Sequence, residues 1–373
     1  MNIAIIYGGK SGEHEVSIIS ASSIVRHLDS KKYTIYLIGI TKDGRWFFQD
    51  SSQINEIQSN PEAVLTIEEI PSQAVSVIPG GGTRGGISLS RGIIAIDMVF
   101  LVLHGTYGED GTIQGLFDMV GIPYTGCGTL SSAIAMDKEK TKQIWKDVGL
   151  PVLPHLCLYK GSDINSLENK KIIEKAEQTF KYPLFIKPCS AGSSCGATKV
   201  SNAMELQIAL KEAFEWDYKV LIEPAINARE IECSVTGNTG GSSTTIQAYT
   251  PGEIKPSHEF YDYDAKYTDP NGASLSIPAE ITEQQQAILK QTAIMAYKAL
   301  DCTGLSRVDF FLEKNTGNLY LNEINTMPGF TSISMFPKMC QAGGLSYMEL
   351  LDLLIYQGKQ RFEDRKMLQT SRN

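Results

Sequence analysis

The chain has 373 residues, long for a single core, so two or three domains of ~150 residues are expected. A composition with 42% hydrophobic and 20% charged residues is that of a globular protein; a net charge of -8 without a basic tract argues against a nucleic-acid partner and leaves phosphate ligands open. No run approaches the ~18 apolar residues of a membrane span, MNIAIIYGGKSGE does not read as a secretory leader, and the seven cysteines lack CxxC or zinc-finger spacing, so a cytoplasmic protein with reduced thiols is expected.

NIAIIY reads as a buried strand ending at Gly8-Gly9, EVSIISASSIVRHL as a helix and YTIYLIGIT as a second strand. That β-α-β order predicts a parallel sheet with a ligand-facing loop after its first strand. The loop GGKSGEHE is not a nucleotide P-loop, because the required first glycine is Ala4. Residues 50–96 read as an insertion with hairpin turns around PGGGTRGGISLSRG. IDMVFLVLHG resumes as a buried strand, and GEDGTIQGLFDMVG is expected to be a helix with acids in its first turn.

GIPYTG is extended, and LSSAIAMDKEKTKQIWKDVG is expected to form one helix ending at Gly149, before Pro151. PLFIKP and KVLIEP are strands flanking a helix whose stripe is Leu206, Ala209, Leu210, Ala213 and Phe214. TPGEIKPSHEFYDYDAKYTDPNGAS is long, polar and aperiodic, which fits a functional lid or disorder. After the helix around QQQAILKQTAIMAYKAL, GLSRVDFFLEKNTGNLYLNEIN signals a hairpin about Asn-Thr-Gly.

Residues two apart on a strand share a face, so Arg307 and Asp309 on the first hairpin strand can meet Glu323 and Asn325 on the second. Three oxygen ligands beside a guanidinium suit magnesium held jointly with phosphate; an Arg307–Glu323 salt bridge on a polar edge is the alternative. Lys187 ends a strand before the Gly/Ser-rich CSAGSSCG, where backbone and hydroxyls can approach phosphate, and MDK offers Lys138 on a helix. Glu223 and Glu230 are candidate acceptors for adenine and ribose.

Seven ordered segments, GGKSGEHEVS, LHGTYGEDGTIQG, GCGTLSSAIAMDK, FIKPCSAGSSCG, FYDYDAKY, SRVDFF and NEINTMPGFTSISMFPK, resemble the D-alanine:D-alanine ligase family of the ATP-grasp superfamily. The resemblance runs from residue 1 to about 355. It implies an α/β (α+β) three-domain ATP-grasp architecture: an N-terminal parallel-sheet domain (1–125), a central subdomain (126–225) and a C-terminal catalytic domain (226–360), ATP lying between the last two. A lid is expected over 251–276. It also implies ATP-dependent phosphorylation of one D-alanine carboxylate and attack on the acyl phosphate by the amine of a second, for peptidoglycan precursor synthesis.

By that resemblance, Asp309, Glu323 and Asn325 are ligands of two magnesium ions (manganese being the alternative), and Arg307 with the Gly329 N–H faces the developing oxyanion. Lys138, Lys187 and the lid's Lys266 meet phosphates, and Glu223 and Glu230 lie on the adenine and ribose side. Glu13 holds the first ammonium, with Ser193 and Tyr267 tying it to the closed lid; His104 lies beside the same substrate. Ser334 is near the second substrate's carboxylate. A homodimer acting on small molecules, with no nucleic-acid or membrane partner, is the family expectation.

Tyr261 and Tyr263 are read as packing feet of the lid. Pro224 departs from the polar residue common beside the adenine, and the tail RFEDRKMLQTSRN reads as disordered. A D-alanine:D-serine or D-alanine:D-lactate ligase is the nearest rival. The Lys266-Tyr267 pair and Met335, where resistance-type relatives tend to carry Arg, favour D-alanine as acceptor. A catalytically inactive regulatory protein would show gaps among these positions, and none is seen.

Overall fold

The computed structural model describes residues 1–80, 86–89, 92–161, 166–241, 245–256 and 273–369. Asn2–Gly8 lies between Thr34–Ile40 and Met98–Val102, parallel to both, and Trp46–Phe48 adds an antiparallel edge. Its side chains alternate between two cores: Ile3, Ile5 and Tyr7 pack on one face, Ala4 and Ile6 on the other. That is why the strand is apolar throughout, as expected of a parallel sheet covered on both sides. The first of these cores continues into Phe330, Phe336, Leu350 and Leu354, which binds the start of the chain to its end.

The stretch 50–96 is more integrated than an insertion. It forms a helix, Ser52–Ser59, and a small antiparallel sheet, while Ile57, Leu65 and Ile87 are buried in the same two cores. Glu109 and Asp110 do not lie inside a helix. The helix is Thr112–Val120, and the Asp110 carboxylate accepts from the backbone N–H of Tyr107 and Thr112 in the turn before it.

The expected long helix of 130–149 is two, Thr129–Met136 and Lys138–Asp147. Asp137 breaks it by taking an extended conformation and capping the second helix through the Lys140 N–H, while its other oxygen pairs with Lys219. The break sets Lys138 at the first position of the second helix. Trp145 on that helix is fully buried against the sheet that carries the hairpin, and its Nε1 donates to Ala296 O at 3.0 Å.

Leu184–Pro188 and Lys219–Pro224 are central in a four-stranded antiparallel sheet. The helix Ala203–Trp216 covers it with Leu206, Ala209, Leu210, Ala213 and Phe214, the stripe read from the sequence. A six-stranded antiparallel sheet is built around Ala228–Asn238, Thr303–Glu313 and Leu319–Asn325. Gly252–Pro256 and Ala273–Ser276, the two stems of the expected lid, pair as its edge. Lys266, Tyr267, Tyr261 and Tyr263 lie outside the described residues.

The tail expectation is corrected for residues 361–366, while 370–373 lie outside the described residues: the last helix runs Tyr347–Lys366, because Arg361 stacks on Tyr124 at 4.2 Å and bonds Gly126 O, and Arg365 pairs with Asp118 at 2.9 Å. Among the described residues, no helix is long and apolar enough to cross a membrane.

Candidate active site

A cleft of ≈ 1040 Å³ lies between the four-stranded and six-stranded sheets, large enough for a nucleotide. On its floor the hairpin register sets Asp309 opposite Glu323 and Arg307 opposite Asn325. A bulge between Asp309 and Phe310 makes Asn322 the extra residue, so Leu321 and Ile324 stay in the core while Asn322 and Glu323 both reach the cleft. Two carboxylates directly opposite on paired strands repel unless cations offset them. Here Lys138 Nζ lies 3.3 Å from Glu323, and Arg307 grips Asp309 through two bonds of 2.7 and 2.6 Å.

The salt-bridge alternative of Arg307 with Glu323 is not what forms. The guanidinium also pairs with Glu232 at 3.2 Å, from the neighbouring strand where Glu232 stands opposite Asp309. Burial disfavours the charged guanidinium, but Asp309 and Glu232 outweigh it and hold its pKa well above the ordinary value. Asn325 Oδ1 accepts from the Met327 N–H at 2.8 Å and closes the turn into Pro328-Gly329. Among the described residues no three His, Cys, Asp or Glu side chains cluster as a metal site. Asp309, Glu323 and Asn325 would offer two carboxylates and an amide, all hard oxygens, a set that suits magnesium shared with phosphate oxygens better than a closed protein cage.

On the opposite wall, Lys187 Nζ donates to Asn322 Oδ1 at 3.0 Å and pairs with Glu223 at 2.7 Å. Glu223, expected on the adenine side, is among the residues lining the cleft. Its carboxylate is 1% exposed and is shared between Lys187 and the buried Lys142, also at 2.7 Å. Burial alone would raise its pKa; the two lysines reverse this and hold it at about 2. Glu230 is half-buried on the cleft wall.

The Gly/Ser loop after Lys187 is held by Lys138, whose Nζ donates to Ala191 O at 2.8 Å. Ser193 and Ser194 take left-handed φ of 52° and 61°, rare for residues with a Cβ. At Gly196 a Cβ would come within 2.6 Å of the Trp216 ring, so that position excludes side chains. The loop crosses to the N-terminal sheet, where Ser193 Oγ donates to Glu13 Oε1 at 2.7 Å. A Cβ on Gly105 would stand 2.8 Å from Glu13 Oε2 at a φ of +70°, so glycine there makes room for the carboxylate.

His104 is buried beside Glu13. Its Nδ1 faces Met327 O at 2.9 Å; a carbonyl only accepts, so Nδ1 carries a proton, and Nε2 lies 3.2 Å from Ser20 Oγ. Ser20 Oγ in turn accepts from the Phe330 N–H at 3.2 Å, which ties His104 to the turn holding Gly329. Glu109 Oε1 lies 3.7 Å from His104 Nδ1. Burial works against the imidazolium, but the nearby carboxylates of Glu109 and Glu13 raise the His104 pKa overall. Ser334 Oγ accepts from the Thr331 N–H at 3.0 Å, and a Cβ on Gly329 would come within 2.7 Å of it.

Ser20, Glu109, Lys142 and Glu232 were not singled out by sequence reasoning. Two carried a signal: Glu232 alternates with Glu230 on one strand face, and Lys142 follows Lys138 by four on one helix face.

Two antiparallel sheets closing on a cleft with lysines on one wall and carboxylates on the other define an ATP-grasp protein. The family model described as D-ala D-ala ligase N-terminus matches residues 2–127, and the one described as D-ala D-ala ligase C-terminus matches 144–356. A D-alanine–D-alanine ligase of Treponema denticola is 55% identical over 373 residues, 100% of both chains. The solved D-alanine-D-alanine ligase from Coxiella burnetii is similar with a TM-score of 0.81 at 34% identity, covering 98% of this chain and 96% of that one. The VanG D-Ala:D-Ser ligase from Enterococcus faecalis gives 0.80 at 37% identity, covering 96% and 99%. The chain belongs to the D-alanine–D-alanine ligase family.

Proposed function

We propose that the protein joins two D-alanines at the expense of ATP, giving D-alanyl-D-alanine, ADP and phosphate. The Ser193–Glu13 bond carries this reading: it brings the loop that follows Lys187 onto the acid that would hold an ammonium group. A carboxylate substrate oriented by Glu13 and His104 then lies between the phosphate side and the Pro328-Gly329 turn. Lys138 and Lys187 hold the phosphates, joined by Lys266, while Glu230 serves the sugar.

The carboxylate oxygen attacks the γ-phosphorus and ADP leaves. The amine of the second D-alanine, after losing a proton, attacks the acyl carbon and expels phosphate. Arg307 and the Gly329 N–H face the oxyanion of that second step, where a preorganised donor is worth about 3–4 kcal/mol. Ser334 orients the acceptor's carboxylate. Tyr267 with Ser193 and Glu13 keeps water from the acyl phosphate.

Asp309, Glu323 and Asn325 are the residues that would hold magnesium. Bound there, the cation neutralises charge on the phosphoryl oxygens. The two bonds from Arg307 leave Asp309 with further lone pairs for a cation, and Glu232 holds the guanidinium as well. The reading includes a division at 1–125, 126–225 and 226–360, a homodimer and a cytoplasmic location supplying peptidoglycan precursors. The likeness to the VanG ligase keeps D-serine as the second acceptor to be offered. ADP release followed by a coupled assay tests the proposal: it must depend on D-alanine, and release that ignores D-alanine would contradict it.

A further inference from the structure

Lys142 lies outside the cleft lining, yet its side chain is fully buried with its ammonium on Glu223 Oε1 at 2.7 Å. The other oxygen of Glu223 holds Lys187 at 2.7 Å. Burying an ammonium and a carboxylate is costly, and a well-packed apolar pair often serves the fold as well. The arrangement therefore calls for an account beyond packing.

Electrostatics supplies one. A Lys187–Glu223 pair alone would fix the lysine but cancel its charge toward an anion. With Lys142 protonated, the three side chains carry one net positive charge; burial lowers the Lys142 pKa, and Glu223 beside it works the other way. Lys187 is the member that reaches the cleft, aligned further by Asn322 at 3.0 Å and by the Phe185 and Phe311 rings at 5.5 and 5.9 Å.

We propose that Lys142 is a positioning residue for nucleotide binding: it neutralises Glu223, so that the carboxylate can clamp Lys187 without quenching the charge Lys187 offers to phosphate. Lys138 and Lys142 are four residues apart, so one helix supplies both a lysine held at the Gly/Ser loop and the buried counter-charge behind its neighbour. The inference rests on the proposed contact of Lys187 with phosphates.

The experiment is calorimetric titration of the full-length protein with ADP in the presence of EDTA, with D-alanine KM and thermal melting read alongside. Lys187→Ala should weaken ADP; if it does not, the placement of phosphates at Lys187 is wrong, whatever Lys142 does. Lys142→Met should weaken ADP about tenfold, leave the D-alanine KM within about twofold, and add nothing in a Lys187→Ala background. Lys142→Met with Glu223→Gln buries no uncompensated acid, and ADP affinity should return to near the wild-type value. Unchanged ADP affinity in Lys142→Met, additivity with Lys187→Ala, or no recovery in the double variant would overturn the proposal. Where Lys142→Met alone does not fold, the Lys142→Met/Glu223→Gln protein decides: binding like wild type supports the role, and binding as weak as Lys187→Ala contradicts it. Failure of both to fold assigns the three residues to folding and rejects positioning.

Discussion

Ser193 Oγ and Glu13 Oε1 are 2.7 Å apart across 180 residues of chain, joining the loop of the four-stranded sheet to that of the parallel sheet. A hydrogen bond to a charged group contributes ~1.5–3 kcal/mol. Ser193→Ala should therefore lower kcat/KM for D-alanine by roughly tenfold to a hundredfold. ADP affinity should hold within about twofold, because the lysines are untouched. Unaltered D-alanine kinetics would detach this bond from substrate binding.

Gly105→Ala tests the space around Glu13. The added methyl would stand 2.8 Å from Glu13 Oε2 on a backbone with φ +70°. Either the carboxylate moves or the turn does, and left-handed strain adds ~1–2 kcal/mol. The KM for D-alanine should rise at least tenfold, with little change in thermal melting. A variant whose melting temperature collapses while its KM holds would make Gly105 a folding glycine only.

Glu223 predicts a pH dependence whose sign is fixed by its lowered pKa of about 2 against an ordinary 4.5. A carboxylate lowered on folding contributes stability that is full above the ordinary value and is lost as pH falls from 4.5 toward 2. Glu223→Gln should thus be destabilised by roughly 3–5 kcal/mol at pH 7. The difference from wild type should narrow as urea denaturation is repeated at lower pH. A gap that stays constant with pH would mean that the carboxylate's charge is not what the lysines hold.

Glu323→Gln removes one of two facing carboxylates and the partner of Lys138 at 3.3 Å. Turnover should fall by at least about a hundredfold, and the magnesium concentration for half-maximal activity should rise. ADP binding in EDTA should weaken little, since it draws on the lysines. Normal turnover at ordinary magnesium would return Glu323 to the role of a surface counter-charge.

Much of this geometry was legible because it is local. Arg307 with Asp309, Glu323 with Asn325, and the stripe of Ala203–Trp216 follow from strand and helix periods alone. The Glu13–Ser193 pair came from resemblance; nothing in local periodicity joins residues so far apart. The bulge that delivers Asn322 to Lys187 was hidden, since it is set by how the core takes Leu321 and Ile324, not by the strand's own pattern. The break at Asp137 was hidden for a similar reason, its cause being a tertiary partner, Lys219. The pairing of Glu223 with Lys142 was hidden as well, because the two meet only through tertiary packing, and the polar tail gave no sign that Arg361 would find Tyr124.

The central claim is the ligation of two D-alanines, and one measurement meets it directly: mass spectrometry of the products formed with ATP, magnesium and equal D-alanine, D-serine and D-lactate. D-alanyl-D-alanine should dominate, with one ADP and one phosphate released per dipeptide. ADP formation without any dipeptide, or a product containing mainly D-lactate, would contradict the account.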